Sequence, residues 1–478
     1  MTRKEYDAWV SRLRTWTGRA HRSSSPLKEE AGPAAQEAGA VRRDVLRLAL
    51  PAMGEQMLSM MVGIVDTFLV GHLGAASLAA VGLANQWIFM ATTLFGAIAT
   101  GSTALIARYI GAREPEQANR VLRQSVLVAM LIGTIATLLG TLLARPAVLL
   151  LGAPDDVIDL SVAYLRVVAS IFFFSTLMFS GNAAMRGAGD TRTPLYVMLV
   201  VNALNIVVAW TAINGPFGLP RLGVVGSALG AATGRLVGGL LVMVILLRGR
   251  GQIRLVLRGL RPDADVIRRI LRIGLPTGAE QLLFRTGVMV FATILASLGT
   301  VAYAANQIAI NIHSMSFLPG FGFAVAATTL VGQGLGAKKP EEAEKRGYTA
   351  YRLGAILMSA IGVIIVLFPA QLLGFFTNDA EVVATGVMPL RIVGLIQPLV
   401  AAGMIFAGGL RGAGDTRYPM MITGASIWLF RVPLAYLLGV GLGWGLTGAW
   451  VAMSADMGLR GTLNYLRYRN GGWKKIEV

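Results

Sequence analysis

Glu55 and Asp66 stand eleven residues apart inside one long apolar run, 46–70. An ionisable group near the centre of a membrane helix costs about 2.5–3.5 kcal/mol on insertion scales, so one that persists has a partner or a task. On an α-helix, eleven positions leave the two carboxylates about 20° apart in azimuth and about 16 Å apart along the axis. Both therefore face one side, each toward a different end of the span, and that side must look into a bundle or a wet cavity. A carboxylate so placed can hold a proton at one membrane face and release it at the other. Once ionised, it attracts Na⁺ or an organic cation. Glu280 occupies the place equivalent to Glu55, each four residues after a proline, Pro51 and Pro276. There a carboxylate can also accept from amides of a proline-disturbed turn, a structural role. Arg285 lies about 140° round the helix from Glu280 and is expected to serve an acid on another helix. Arg235, Arg431 and Asp456 read as buried Arg–Asp ties. Neutral candidates for the same cleft are Asn85, Gln86, Asn202, Asn205, Gln281 and Asn306; in lipid such amides also serve as interhelical hydrogen-bonding groups.

The elements that must hold these groups are membrane helices. The 478 residues are 55% hydrophobic and 14% charged, against roughly 25% charge in soluble chains. Several Leu/Val/Ala/Gly runs reach the ~20 residues needed to cross a bilayer. Twelve candidate spans follow, near 46–70, 79–104, 121–144, 157–182, 194–213, 223–247, 268–297, 302–330, 347–370, 384–408, 419–440 and 445–467. The connectors alternate in basic charge: the expected inner ones carry clusters such as Arg108–Arg123 and Lys338–Arg346, the outer ones only Arg145 and Arg221. Both termini are therefore expected inside. The net charge of +18 reads as this topological signal, not as a nucleic-acid surface. The chain has no cysteine and only three scattered histidines, so thiol-ligated metals and zinc spacings are excluded. Paired catalytic carboxylates, a nucleophile–histidine arrangement and a phosphate-binding loop are all missing, which argues against an enzyme and against ATP drive.

The spans repeat. RGAGDTR stands at 186–192 and again, letter for letter, at 411–417, each time followed two positions later by proline. LPAMGEQML (50–58) matches LPTGAEQLL (275–283), and IGAREPEQA (110–118) matches LGAKKPEEA (335–343), at the same offset. Six helices per copy is an even number, so both copies enter from one side and are related by an axis along the membrane normal. The heptapeptide is expected to close the fourth span of each half, with glycine turning the chain, proline opening the next helix, and Asp190 or Asp415 capping the turn or pairing with the neighbouring Arg.

LPAMGEQMLSMMVGIVDTFLVGHLG (50–74), the doubled RGAGDTR and RVPLAYLLG (431–439) resemble the MATE family (multidrug and toxic compound extrusion), over roughly residues 45–467. The resemblance implies an all-α membrane protein: twelve transmembrane helices in two pseudo-symmetric six-helix bundles, V-shaped, opening alternately to each side. It implies antiport of H⁺ or Na⁺ against amphipathic organic cations, with Asp66 as the family's first-helix aspartate. Asn205 resembles its fifth-helix asparagine, while Ala209 stands where the proton-linked branch often has an acid. Coupling is thus expected at Asp66, Glu280 and Glu55, with Na⁺ placed at Asp66 or Glu280 and no cofactor besides the coupling ion. The expected organisation is a polar tail, 1–44, either unstructured or carrying an interfacial helix on Tyr6–Trp16; a first lobe, 45–247; a basic linker, 248–266; a second lobe, 267–468; and a tail, 469–478. The protein is expected as a monomer in the bacterial inner membrane. A lipid or lipid-linked oligosaccharide flippase is the alternative, and it would call for a basic cavity.

Overall fold

The computed structural model describes residues 33–215, 220–256 and 261–477. The interfacial helix expected on Tyr6–Trp16 lies outside them, as do residues 257–260 of the basic linker. The chain divides into a segment ending at Asp44 and a body, 45–478, and everything below concerns the body.

The described residues fold almost entirely as helices: α1 (Pro33–Gly71), α2 (Ala75–Gly111), α3 (Pro115–Leu142), α4 (Ala144–Leu150), α5 (Asp155–Ala169), α6 (Phe172–Gly187), α7 (Arg192–Asn214) and α8 (Val224–Arg248). The series then recurs as α9 (Ala264–Ala296), α10 (Thr300–Gly336), α11 (Pro340–Leu367), α12 (Pro369–Gly374), α13 (Ala380–Leu395), α14 (Gln397–Gly412), α15 (Arg417–Ala425), α16 (Val432–Ala435) and α17 (Gly445–Arg469). The starts of α10 to α15 follow those of α2 to α7 one by one, at the offset that separates the two heptapeptides. The turns obey the same offset. Gly74 and Gly299 open α2 and α10 at φ 105° and 100°. Arg113 and Lys338, each two positions before the proline that opens the next helix, both take the left-handed conformation at φ 61° and 57°. A non-glycine residue is uncommon there, so its recurrence marks a turn that the packing on both sides dictates.

Nine helices among the described residues are long and apolar enough to cross a bilayer. The fourth and tenth expected spans are broken instead of continuous: α5 and α6 meet at 50°, α13 and α14 at 54°. Counting each bent pair once gives eleven. The twelfth is α17, 25 residues long, or about 37 Å; its apolar run is interrupted by Asp456, Arg460 and Arg467. The eleventh span, Arg417–Gly441, is helical throughout but widens into π-turns at Ser426–Arg431 and Tyr436–Gly441, on either side of α16 and its Pro433. Proline removes one backbone donor, and such wide turns absorb the mismatch.

The two halves touch through glycines at the end that carries the basic loops. A side chain at Gly111 would meet the backbone of Gln333, and one at Gly336 would meet that of Arg108. Those are the same contact seen from each copy, so α2 and α10 cross on the pseudo-two-fold axis. Gly101 against Ile270 and Gly274 against Ala97 bring α2 and α9 equally close. Hydrogen bonds cross at this end too: Thr329 to the Arg186 carbonyl (3.0 Å), Gln333 to the Gly187 carbonyl (3.2 Å) and Arg108 to the Ile476 carbonyl (2.8 Å).

Candidate functional site

Asp66 lies on α1, 6% exposed, facing helices of its own half and not lipid. Asn205 on α7 donates its amide to Oδ1 at 3.3 Å, and the Ser227 hydroxyl on α8 donates to the same oxygen at 3.4 Å. Asn205 and Ser227 are themselves sealed, at 1% and 0% exposure. Tyr164 on α5 and Arg235 on α8 lie close enough to share its electrostatic field. Two long neutral hydrogen bonds are thin compensation for a buried carboxylate. The Asn205 side-chain oxygen is also buried, without a hydrogen-bond partner among the described residues. A buried carboxylate with the Ser227 hydroxyl and the Asn205 amide beside it and Arg235 in its field is a group that can take up a proton or a hard monovalent cation. Among the described residues no cluster of three or more His, Cys, Asp or Glu exists that would favour a tightly held metal ion.

Glu55 and Glu280 are placed differently. Arg186 donates to Glu55 at 2.7 Å, and Arg411 donates to both oxygens of Glu280 at 2.8 Å, with the Thr423 hydroxyl adding a third bond at 3.0 Å. Each guanidinium is the first residue of its half's RGAGDTR. The structure thereby corrects the reading in which these glutamates satisfy a proline-disturbed turn: their partner is the heptapeptide, three helical spans further along the chain. A cation at Glu280 would have to displace a guanidinium held by both oxygens, so its donor set does not fit Na⁺.

The heptapeptide turns as expected through Gly189 and Gly414, at φ 87° and 89°. Asp190 caps α7 by accepting from the backbone of Arg192 (3.1 Å) and Thr193 (3.0 Å), and also takes Arg250 at 3.2 Å. Partial burial pushes its carboxyl upward, but the Thr193 and Arg250 bonds outweigh that and hold it below the ordinary range. Asp415 departs from its twin, pairing with Arg467 on α17 at 2.9 Å and not with a neighbouring Arg of the loop.

The remaining candidates do not converge on one place. Asn202 is buried but donates to the Met198 carbonyl of its own helix. Asn85 and Gln86 are exposed along α2. Asn306 accepts from the Trp450 indole at 3.0 Å inside the second half. Arg285 is exposed, its guanidinium 4.5 Å from the Phe89 ring across the two halves. Gln281 joins Glu280 on the wall of a cavity of about 210 Å³ in the second half. Sequence reasoning missed Ser227 and Tyr164, because a serine and a tyrosine in apolar helices carry no spacing that separates ligands from packing groups. Of the expected Arg–Asp ties among Arg235, Arg431 and Asp456, Arg431 and Asp456 form a buried pair at 2.7 Å with Arg460 added at 3.0 Å, whereas Arg235 lies near Asp66 instead.

A family profile, MatE, matches residues 51–211 and again 276–437, its two copies starting at equivalent residues of the two halves. The chain belongs to the MatE family. A probable multidrug resistance protein NorM of Thermotoga maritima is 37% identical, the alignment covering 93% of this chain and 95% of that one. A multidrug resistance protein NorM of Burkholderia vietnamiensis is 29% identical over 87% and 90% of the two chains. Among solved structures, an outward-facing multidrug resistance MATE family transporter of the MOP superfamily superposes with a TM-score of 0.84. It is 25% identical, and the match covers 90% of this chain and 95% of that one. This MatE chain is therefore a multi-pass membrane transporter and not an enzyme, and its all-α, twelve-span architecture is the one these transporters share.

Proposed function

We propose that this transporter is a secondary-active multidrug exporter, exchanging an inward H⁺ or Na⁺ for an outward amphipathic organic cation, with Asp66 as the exchange site. The observation that carries the reading is the Asp66 carboxylate, buried between α1, α7 and α8 with two neutral hydrogen bonds among the described residues, at 3.3 and 3.4 Å, and Arg235 in its field without a hydrogen bond to it. A small cation on that carboxylate removes the negative charge that an organic cation needs. The two ligands therefore compete, and competition within one site couples their opposite movements. Glu55 and Glu280, each already neutralised by an arginine, tie α1 and α9 to the ends of α6 and α14 and take no part in exchange.

Alternating access is rocking of one half against the other. The basic end is the cytoplasmic one, with both termini on that side of the bacterial inner membrane. The glycine crossing of α2 and α10 closes that end here, so this conformation offers its sites outward. The unit of transport in this reading is a single chain. The test is reconstitution into liposomes, imposing a pH gradient and a sodium gradient separately and following a fluorescent organic cation. One gradient should drive uptake in the native protein and neither in Asp66→Asn. Undiminished uptake by Asp66→Asn at equal incorporation would refute the assignment.

A further inference from the structure

We infer that the second half holds a separate site for a small amphipathic anion, in the cavity between α9, α10, α14 and α17. Much of its lining is apolar and aromatic: Phe284, Phe317, Phe321, Met404 and Met457. The same lining carries Arg411 and Arg460, and the Arg460 guanidinium lies 5.6 Å from the centre of the Phe284 ring. The charged groups on the elements packed around it do not balance. Arg411 is matched by Glu280. Arg460 and Arg431, however, share one carboxylate, and both bond the same oxygen of it: Asp456 Oδ2 lies 3.0 Å from Arg460 and 2.7 Å from Arg431. His313, the nearest remaining titratable side chain on α10, is buried beside Arg431 and offers no negative charge.

Three guanidinium groups thus meet two carboxylates, leaving one buried positive charge in excess. A buried charge without a counter-charge is costly, and an incoming anion relieves it. Donors are ready as well. The Nε of Arg411 and the Nε of Arg460 are both buried without a hydrogen-bond partner among the described residues. A guanidinium presents its N–H groups in a planar fork that fits a carboxylate. The Asn464 side-chain oxygen, buried in the same lining and also without a hydrogen-bond partner among the described residues, can accept from a hydroxyl on the same ligand. Drug-sized sites run to roughly 300–1,000 Å³, so a cavity of about 210 Å³ suits something smaller. The geometry selects a one- or two-ring aromatic carboxylate, its ring among the phenylalanines and its carboxylate on Arg460. This site goes beyond the cation exchange at Asp66: it lies in the other half and has the opposite polarity.

The test uses the full chain in lipid nanodiscs and two probes with the same rings and opposite charge, 2-naphthoate and a naphthylmethyl trimethylammonium. Thermal unfolding is followed against the concentration of each. Naphthoate should raise the midpoint in a saturable way, with its apparent affinity falling at least tenfold in Arg460→Gln. Phe321→Ala keeps every charge in place and should weaken naphthoate about threefold or more, so the inference stays testable should Arg460→Gln not fold. No stabilisation of the native protein by naphthoate would overturn it, as would equal stabilisation of both variants. Loss of the naphthoate response with the ammonium response intact sinks this site alone; the reverse outcome sinks the cation reading and leaves this one standing.

Discussion

Removing the Arg411 side chain should strand Glu280, and the size of the penalty follows from its surroundings. The Glu280 side chain is 8% exposed and that of Arg411 21%, so water can replace the guanidinium only in part. Losing one partner of a buried pair costs roughly 3–5 kcal/mol. The partial exposure of Arg411 puts Arg411→Ala at the lower end, about 3 kcal/mol, because solvent screens what it reaches. The twin pair makes an internal control. Glu55 accepts a single bond from Arg186, at side-chain exposures of 15% and 19%, so Arg186→Ala should cost about 2 kcal/mol on the same reasoning. The charge argument also predicts rescue: Glu280→Gln combined with Arg411→Met leaves no uncompensated ion and should lie within about 1 kcal/mol of the native protein. Denaturant unfolding in detergent micelles, read by tryptophan fluorescence, measures all of these. A double variant no more stable than Arg411→Ala alone would show that the arginine acts through packing and not through the charge of Glu280.

The other expectations concern the closed end and its turns. A methyl group at Gly336 collides with the Arg108 carbonyl, so Gly336→Ala should cost about 1–3 kcal/mol and loosen the crossing. A cysteine placed at Ala104 in this cysteine-free chain should then react faster with an impermeant thiol reagent, and an unchanged rate would count against closure by these glycines. Trp473 is fully buried, stacked on Tyr468 at 4.7 Å and donating to its carbonyl at 2.7 Å. Trp473→Ala should therefore lower stability by about 3 kcal/mol in the same unfolding assay. Asp190, held below the ordinary carboxylate range, stabilises the fold fully above about pH 4 and loses that effect as pH falls through its lower folded-state value. Asp190→Asn keeps an oxygen for the helix cap but removes the charge facing Arg250, so it should cost about 1 kcal/mol at pH 7, the extra worth of charge-assisted hydrogen bonds, and nothing measurable in strong acid.

Much of the architecture could be read from the residues because the repeat is nearly literal. The heptapeptide and the LPAMGEQML and LPTGAEQLL strings fix one offset, and the starts of six helices reproduce it. The bends could not be read. The second copy has Pro398 just after its break, yet the first bends to almost the same angle at Ser170 and Ile171 with no proline at all, inside an unbroken apolar run. The π-turns around Pro433 likewise leave no periodic trace in RVPLAYLLG. At the site, Asp66 with Asn205 came from chemistry and resemblance together, whereas the glutamate–arginine pairs needed coordinates. Their equal separation in both halves was present in the sequence, but nothing in hydropathy or spacing joins an acid on a first helix to a loop after the fourth. The cavity in the second half was equally hidden, since its phenylalanines and methionines look like ordinary packing until the helices are assembled.

Exchange at Asp66 requires that a small cation and an organic cation exclude one another there. The direct measurement is the dissociation constant of an organic cation for the purified transporter, titrated across pH at fixed sodium and across sodium at fixed pH. Competition for one carboxylate should weaken binding tenfold for each tenfold rise in the coupling ion, in one of the two series, and Asp66→Asn should abolish that dependence. Binding that ignores both ions in the native protein, or a slope that persists in Asp66→Asn, would show that the two cations do not meet at this carboxylate.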